Sequence, residues 1–359
     1  ERIDKLLLTA FKESAAAITK NDLIYTISKV LALFPDNAVR VWSNEQVSEL
    51  LKGLPINISY IEDKYVITKS LSSDLPAGSQ IIKVNQQSID SYIEAIGMRI
   101  SASSDEFKRL KAISILKYDY SKSSEILEVL LPNGNKKAIE LKRTAELDSL
   151  NIMNYPAAEQ YADGAFYIDF RRYNEEDLAQ FFKANHSQIR GLVLDMRGYN
   201  SISEFFFKFF KLGNLKHIVW QMPYFAEYNA PYSAFHLLPQ YVKGNGKLNE
   251  CKLVVICDES TIGLNESNLY LLQKNQMATC IGRSSSGCPS EVTAYPLPCG
   301  LTMSLSYISA SDDAGNMLIG NAYVPEIIVN YDISTALQSK DALIEKAKEI
   351  LLQKITEQK

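Results

Sequence analysis

The sequence predicts an α/β protein with a mostly parallel sheet at its core, preceded by a helical N-terminal segment and a smaller α+β module. Three observations carry this. The apolar run Leu253-Val254-Val255-Ile256-Cys257, a polar turn, an amphipathic stretch and then Met277-Ala278-Thr279-Cys280-Ile281-Gly282 spell a strand–turn–helix–strand unit. Apolar strands alternate with helical patterns through residues 165–221, the signature of a parallel sheet covered on both faces. Near residue 54 the apolar period changes from about 3.6 to 2, which marks a separate module behind a helical lead-in.

Taken in order, residues 1–53 read as helices. Ile3, Leu6, Leu7, Ala10 and Phe11 share one face, as do Leu23, Ile24, Ile27, Val30, Leu31 and Phe34. Pro35-Asp36-Asn37 ends the second helix, and Ser43-Asn44-Glu45-Gln46 has the form of a capping box before a third. In the module at 54–143, Ile56-Asn57-Ile58-Ser59-Tyr60 and Tyr65-Val66-Ile67-Thr68 alternate as strands. A Pro/Gly turn, a strand and helices over 90–99 and 104–118 follow, then a hairpin about Pro132-Asn133-Gly134-Asn135. The run Leu75-Pro76-Ala77-Gly78-Ser79-Gln80-Ile81-Ile82-Lys83-Val84-Asn85 resembles the corresponding stretch of a PDZ domain, with Gln86 where a glycine is expected. That resemblance implies binding of an extended peptide by strand addition, beside the plainer role of packing between domains.

Residues 144–162 are polar and rich in turn formers, a linker. In the core at 163–359, Ala165-Phe166-Tyr167-Ile168-Asp169-Phe170 is a strand, Asn174 caps a helix to His186, and Gly191-Leu192-Val193-Leu194-Asp195-Met196 is a second strand. A phenylalanine-dense helix is expected at 205–210, its aromatics as core. Residues 223–249 read as an irregular aromatic loop carrying Tyr224, Phe225, Tyr228, Tyr232, Phe235 and Tyr241, long enough to be functional or mobile, or plain surface cover. A hairpin at 291–307, a strand at 324–329 and an amphipathic helix at 341–354 complete the chain.

Composition narrows the function classes. With 359 residues, 46% hydrophobic and 22% charged, the chain is that of an ordinary folded protein. A net charge of −4 without a basic cluster argues against nucleic acid as partner. No apolar run approaches the roughly 18 residues of a membrane span. No signal peptide is visible, and a start at Glu1 rather than Met leads us to expect a processed or trimmed N-terminus. Cys257 and Cys280 fall in apolar strands as buried thiols, while Cys288 and Cys299 admit a bridge across a hairpin in an oxidising compartment. No Cys-x-x-Cys spacing and three scattered histidines give no metal site, and no cofactor is expected.

The turn Asp258-Glu259-Ser260-Thr261-Ile262-Gly263-Leu264-Asn265-Glu266 lies at the carboxyl end of a buried strand, where α/β sheets place ligands and chemistry. Thr261-Ile262-Gly263-Leu264-Asn265-Glu266 resembles the Thr-x-Ser-x-x-Glu turn of the tail-specific, or C-terminal processing, serine peptidases. Ile281-Gly282-Arg283-Ser284-Ser285-Ser286-Gly287, Gly191-Leu192-Val193-Leu194-Asp195-Met196-Arg197-Gly198, the run from Gly320 to Val329 and Lys340-Asp341-Ala342-Leu343 resemble further signatures of that family in order and spacing. The resemblance spans roughly residues 160–350. It implies a ClpP/crotonase-like core, peptide or unfolded protein segments as partners, and an extracytoplasmic, periplasmic location. It places Asp195, Arg197, Gly198, Leu264, Glu266, Ser286 and Gly287 along the peptide cleft, and it implies that the loop at 223–249 is a flap over that cleft.

Set on the family's catalytic positions, the chain departs at each. Gly263 stands for the nucleophilic serine, Cys288 for the lysine base of some members, and Ala38, in Phe34-Pro35-Asp36-Asn37-Ala38, for the histidine base of others. Tyr199-Asn200-Ser201-Ile202-Ser203 lacks the glycines that open an oxyanion loop. Ser260 and Ser267 are the substitute hydroxyls at hand, more naturally capping or surface residues. Neither a Cys288 thiol nor the Asp195–Glu266 carboxylates have a partner in sequence that makes a hydrolase. The expectation is a non-catalytic peptide-binding pseudo-peptidase. The alternatives are an active serine endopeptidase whose nucleophile lies elsewhere, and a structural protein using the aromatic loop.

Overall fold

The computed structural model describes residues 2–44, 52–119, 121–151, 155–223, 235–338 and 340–357. The capping box at Glu45-Gln46 with the helix expected after it, and Tyr224, Phe225, Tyr228 and Tyr232 of the aromatic loop, lie outside these residues.

Helices α1 (Arg2–Ala16) and α2 (Lys20–Leu31) form the lead-in, and Thr19 with Asp22 closes a capping box at the start of α2. Strand β1 (Arg40–Ser43) follows where only helix was expected. The alternation of Arg40, Val41, Trp42 and Ser43 buries Val41 and suits a strand. The module contains β2 (Ile56–Ile61), β3 (Lys64–Ser70), β4 (Gln80–Val84), β5 (Gln87–Ser88), α3 (Ile89–Gly97), α4 (Asp105–Tyr118), β6 (Ser124–Leu130) and β7 (Lys136–Lys142). Glu62 and Asp63, at φ 50° and 57°, make the two-residue turn between β2 and β3. Ile56, Ile67, Val84, Ile93, Leu116 and Leu127 fill the module's own core.

Then come α5 (Asp148–Asn151), β8 (Ala158–Ala162), β9 (Ala165–Asp169), α6 (Glu175–Asn185), β10 (Gly191–Asp195), β11 (Leu212–Pro223), β12 (Phe235–Asn245), β13 (Lys252–Cys257), α7 (Leu264–Lys274), β14 (Ala278–Gly282), β15 (Glu291–Leu297), β16 (Leu301–Ser311), β17 (Ile327–Ile328), α8 (Ile333–Ala336) and α9 (Ala342–Thr356). Among the described residues these elements make three sheets. The module's sheet runs β2-β3-β4-β6-β7, with β5 on β4. The core sheet runs β17-β14-β13-β10-β9-β8; its pairs are parallel except β8 with β9. Every residue of β9 and β10 is buried, as two covered faces require. Leu178, Phe182, Phe207, Leu269 and Leu272 pack one face, and Leu343, Ala347 and Leu351 of α9 pack the other. The third sheet, β1-β16-β11-β12 with β15 on β16, is antiparallel.

Three expectations need correction. Ala158–Ala162, assigned to the linker, is an edge strand of the core sheet. Phe235–Asn245, assigned to the irregular loop, pairs with β11. The phenylalanine-rich stretch forms a short 3₁₀ turn, Glu204–Phe209, set by edge-to-face packing of Phe206 on Phe170, Phe182 and Phe207 at 5.1–5.4 Å. The cysteines are all free; Cys288 is buried and Cys299 exposed, so the conditional bridge between them is not formed.

His217 on β11 is 3% exposed and stacks on Trp220. Burial, then the Lys274 ammonium, pulls its pKa from 6.5 down to about 4. The unfolded chain therefore takes a proton near pH 6.5 that the folded chain refuses until about pH 4. Stability is intact above pH 6.5 and falls as the pH drops toward 4, by on the order of 3 kcal/mol. Urea midpoints measured from pH 7 to pH 4 should show this loss, and His217→Leu should flatten it.

Candidate functional site

β13 delivers the chain into the turn at 258–263, which its own side chains wind: Asp258 N donates to Thr261 Oγ1 at 3.1 Å, and Thr261 N to Asp258 O at 2.9 Å. The turn ends on Gly263 at φ 65°, ψ −130°, the cap of α7. This is the sharp strand-to-helix corner that projects a nucleophile in hydrolases of α/β type. Here Gly263 presents no side chain. A Cβ on Gly263 would meet the Tyr199 ring at 3.4 Å.

The start of α7 is tied to the end of β10. Asn265 Nδ2 donates to the carbonyls of Met196 and Gly198 at 3.0 and 3.1 Å. The Gly198 amide donates to Ser260 Oγ at 3.0 Å, while that hydroxyl donates to the Asp258 carboxylate. So the Gly198 amide points at a side chain of its own protein. Ser260 lines the cleft but has a carboxylate as its proton acceptor, with no histidine or lysine. Ser267 is 1% exposed and donates to Leu264 O inside the helix. Leu264, the first residue of α7, is half-buried.

Glu266 is 0% exposed, and a loop of four successive residues wraps it. The hydroxyls of Ser285 and Ser286 donate to it, as do the amides of Gly287 at 2.7 Å and Cys288 at 2.8 Å. Burial pushes its carboxyl up, and these four donors, led by Ser285, pull against that. Asp195 is equally enclosed. Arg197 holds it twice, at 2.8 and 2.6 Å, Arg171 Nη2 at 3.2 Å and the Tyr167 hydroxyl at 3.1 Å. Burial raises its carboxyl, but Arg197 and then Arg171 outweigh it and hold the group below the usual carboxylate range. Arg197 continues to Asp341 at 2.8 Å and the Tyr331 hydroxyl at 3.0 Å, fixing the start of α9.

Of the residues assigned to the cleft from sequence, Asp195, Glu266 and Ser286 are 0% exposed and hydrogen-bonded within the protein. Arg197 is 6% exposed and spends its guanidinium on Asp195 and Asp341. Gly198 and Gly287 are shaping residues at φ 76° and 80°.

The turn carrying Ala38 does come to this place. Asn37 Nδ2 donates to Ser286 O at 3.1 Å, and Ser286 N donates to Thr261 O at 3.0 Å, one step from the corner. Cys288 Sγ donates to Asp36 Oδ1 at 3.2 Å, and Ser306 and the Ala38 amide donate to the same oxygen. Burial, and then Asp36, push the Cys288 thiol up to about 12, which keeps it a protonated donor and no nucleophile. From the module, Ser103 N donates to Asn37 Oδ1 at 2.7 Å, Ser101 Oγ to Asp36 O at 2.6 Å and Lys111 Nζ to Asn37 O at 2.9 Å. Burial and then Arg40 lower the Lys111 pKa to about 8. Asp36, Asn37 and Lys111 were not singled out as site residues from sequence, and Tyr199 was noted only where a loop glycine is missing. The only signal was the turn Pro35-Asp36-Asn37 itself, since its partners lie far along the chain.

Between module and core opens a cleft of about 1340 Å³. Edge strand β2 and helix α4 form one wall, Asp258, Glu259, Ser260 and Arg283 another, and the segment around α8 a third. Arg283 grips Glu259 with two bonds of 2.8 Å. Among the described residues no helix is long and apolar enough to cross a membrane, and no group of three or more His, Cys, Asp or Glu could hold a metal ion.

Glu266→Gln replaces an acceptor of four donors with an amide that opposes some of them, at a cost of about 3 kcal/mol. Hydrogen exchange should accelerate at amides 285–288 and spread to 101–104. Asn37→Ala should release 101–104 while 285–288 stay protected, so the two variants separate the anchor from the link.

No protein-family model matches the chain, and no curated protein matches it. Solved structures do. Mature CPAF complexed with lactacystin superposes at TM-score 0.73 and 11% identity over 98% of this chain and 93% of that one. The photosystem II D1 C-terminal processing protease gives 0.50 and 14% over 98% and 97%. A putative peptidase from Parabacteroides merdae gives 0.51 and 14% over 93% and 84%. At such identities the likeness speaks for fold, and this chain has the mixed helix-and-sheet fold of the tail-specific type of serine peptidase.

Proposed function

We propose that this chain is a non-catalytic member of the tail-specific peptidase type, a pseudo-peptidase that binds extended peptide or unfolded protein segments. The observation that carries the reading is Gly263, which leaves the corner without a side chain, the Tyr199 ring lying at van der Waals distance from where a β-carbon would stand. The surroundings agree with it. Ala38 and Cys288 supply no base, and the Gly198 amide is already bonded to Ser260. Removing nucleophile or base costs on the order of 10⁴–10⁶ in rate, so the two together leave no useful turnover.

The binding half of the reading rests on residues 54–143 as a PDZ-like unit. Among the described residues β2 pairs on one side only, with β3, and its other edge faces α4 and the cleft. An extended peptide added there gains main-chain hydrogen bonds and runs toward the 258–260 turn. Residues 144–157 connect this unit to the α/β core in our division of the chain. An extracytoplasmic, periplasmic setting belongs to the same proposal.

The purified protein should not hydrolyse an unfolded protein such as reduced casein, and a fluorophosphonate probe should leave it unlabelled. Gly263→Ser should remain inactive, because no base stands by it. Turnover with labelling at Ser260, abolished by Ser260→Ala, would replace this reading with that of an active serine endopeptidase.

A further inference from the structure

We propose that Arg109 is a selector that makes the β2 edge prefer peptides with an acidic side chain. The inference deepens the peptide-binding reading above and rests on it. Because the β2–β3 turn has two residues, Ile61 and Lys64 form a hydrogen-bonded rung, and so do Ser59 and Val66. The backbone N–H and C=O of Ile58 and Tyr60 therefore point outward, toward the place of an added strand. Beside them, on α4, the Arg109 guanidinium lies over the Tyr60 ring at 3.9 Å, and Tyr60 in turn packs on Tyr65 at 4.9 Å. Stacking of this kind orients a guanidinium; part of its N–H set is directed at the Tyr65 hydroxyl, and the remaining N–H groups can donate to a carboxylate.

The other charges of the cleft are engaged. Arg283 is paired with Glu259, Asp341 with Arg197, and Lys340 with Glu345. Asp63 accepts from the Tyr60 hydroxyl. Asp90 acts on Tyr60 and Tyr65 through space, and Glu106 sits one turn back on α4, but neither forms an ion pair with Arg109. Among the described residues Arg109 is thus a half-buried cation in the cleft with an aromatic platform and no carboxylate. A Glu or Asp side chain on the incoming strand, near the rung of Tyr60, supplies it.

The test uses the whole chain and short fluorescein-labelled extended peptides differing by one Glu or Gln, read by anisotropy. Glu peptides should bind about tenfold tighter than Gln peptides, less so at high salt because the site is half-exposed. Arg109→Gln should bring the ratio to about one, and Arg109→Lys should keep part of it, with thermal unfolding confirming that both variants fold. Ile58→Pro removes an outward amide but no hairpin rung, and should abolish binding of both peptides. Equal affinity for Glu and Gln in the unaltered chain, or a preference surviving Arg109→Gln, overturns the selector and leaves the groove. Absence of binding by either peptide overturns the groove reading and the selector with it.

Discussion

The buried carboxylate of Glu266 is the constraint on which the arrangement of the molecule depends. An isolated charge at 0% exposure is prohibitive, so the chain surrounds it with four donors from successive residues, each such bond contributing roughly 1.5–3 kcal/mol. That fixes the 285–288 loop against α7. The loop then presents the Ser286 carbonyl to Asn37 and the Cys288 thiol to Asp36, and the same turn offers its carbonyls to Ser101 and Lys111 of the module. The position of a whole unit is in this way referred back to one carboxylate. On the opposite side of the sheet's end, Arg197 does the corresponding work between Asp195 and α9.

What could be read from the sequence was local. The 253–282 unit stood out because an apolar β run, a turn and an amphipathic helix use distinct periods. Asn174 caps a helix where its side chain announced it, and the helices expected over 104–118 and 341–354 do begin beside Ser104 and Asp341, which cap them. Strands β1 and β12 were not legible, because β1 depends on pairing with Leu301–Ser304, more than 250 positions away, and β12 on β11 across a long connection. The site divided along the same line. Gly263 was visible as a missing hydroxyl, but Tyr199 read only as a lost glycine. That its ring comes beside the corner is a matter of packing, which no spacing encodes. Asp195 and Glu266 were taken for cleft residues because their place at strand and helix ends says nothing about whether neighbours enclose them.

Catalytic sites of this kind work by keeping donors unsatisfied until charge develops on the substrate. Near Gly263 several polar groups are instead satisfied by one another: the Gly198 amide by Ser260, Ser260 by Asp258, the Cys288 thiol by Asp36. Such mutual satisfaction is how a stable interior is made. In the proposed reading the module's edge and the cleft carry the function, and the network meets the cleft only where Asp258 and Ser260 line its wall.

The corner itself has a thermodynamic consequence. Its backbone sits at φ 65°, ψ −130°, a conformation that any residue with a β-carbon holds only under strain of roughly 1–3 kcal/mol. Glycine holds it freely. Any side chain at this point would have to be held against the preference of its own main chain, whereas glycine leaves the turn relaxed: the molecule rests more easily with the corner bare.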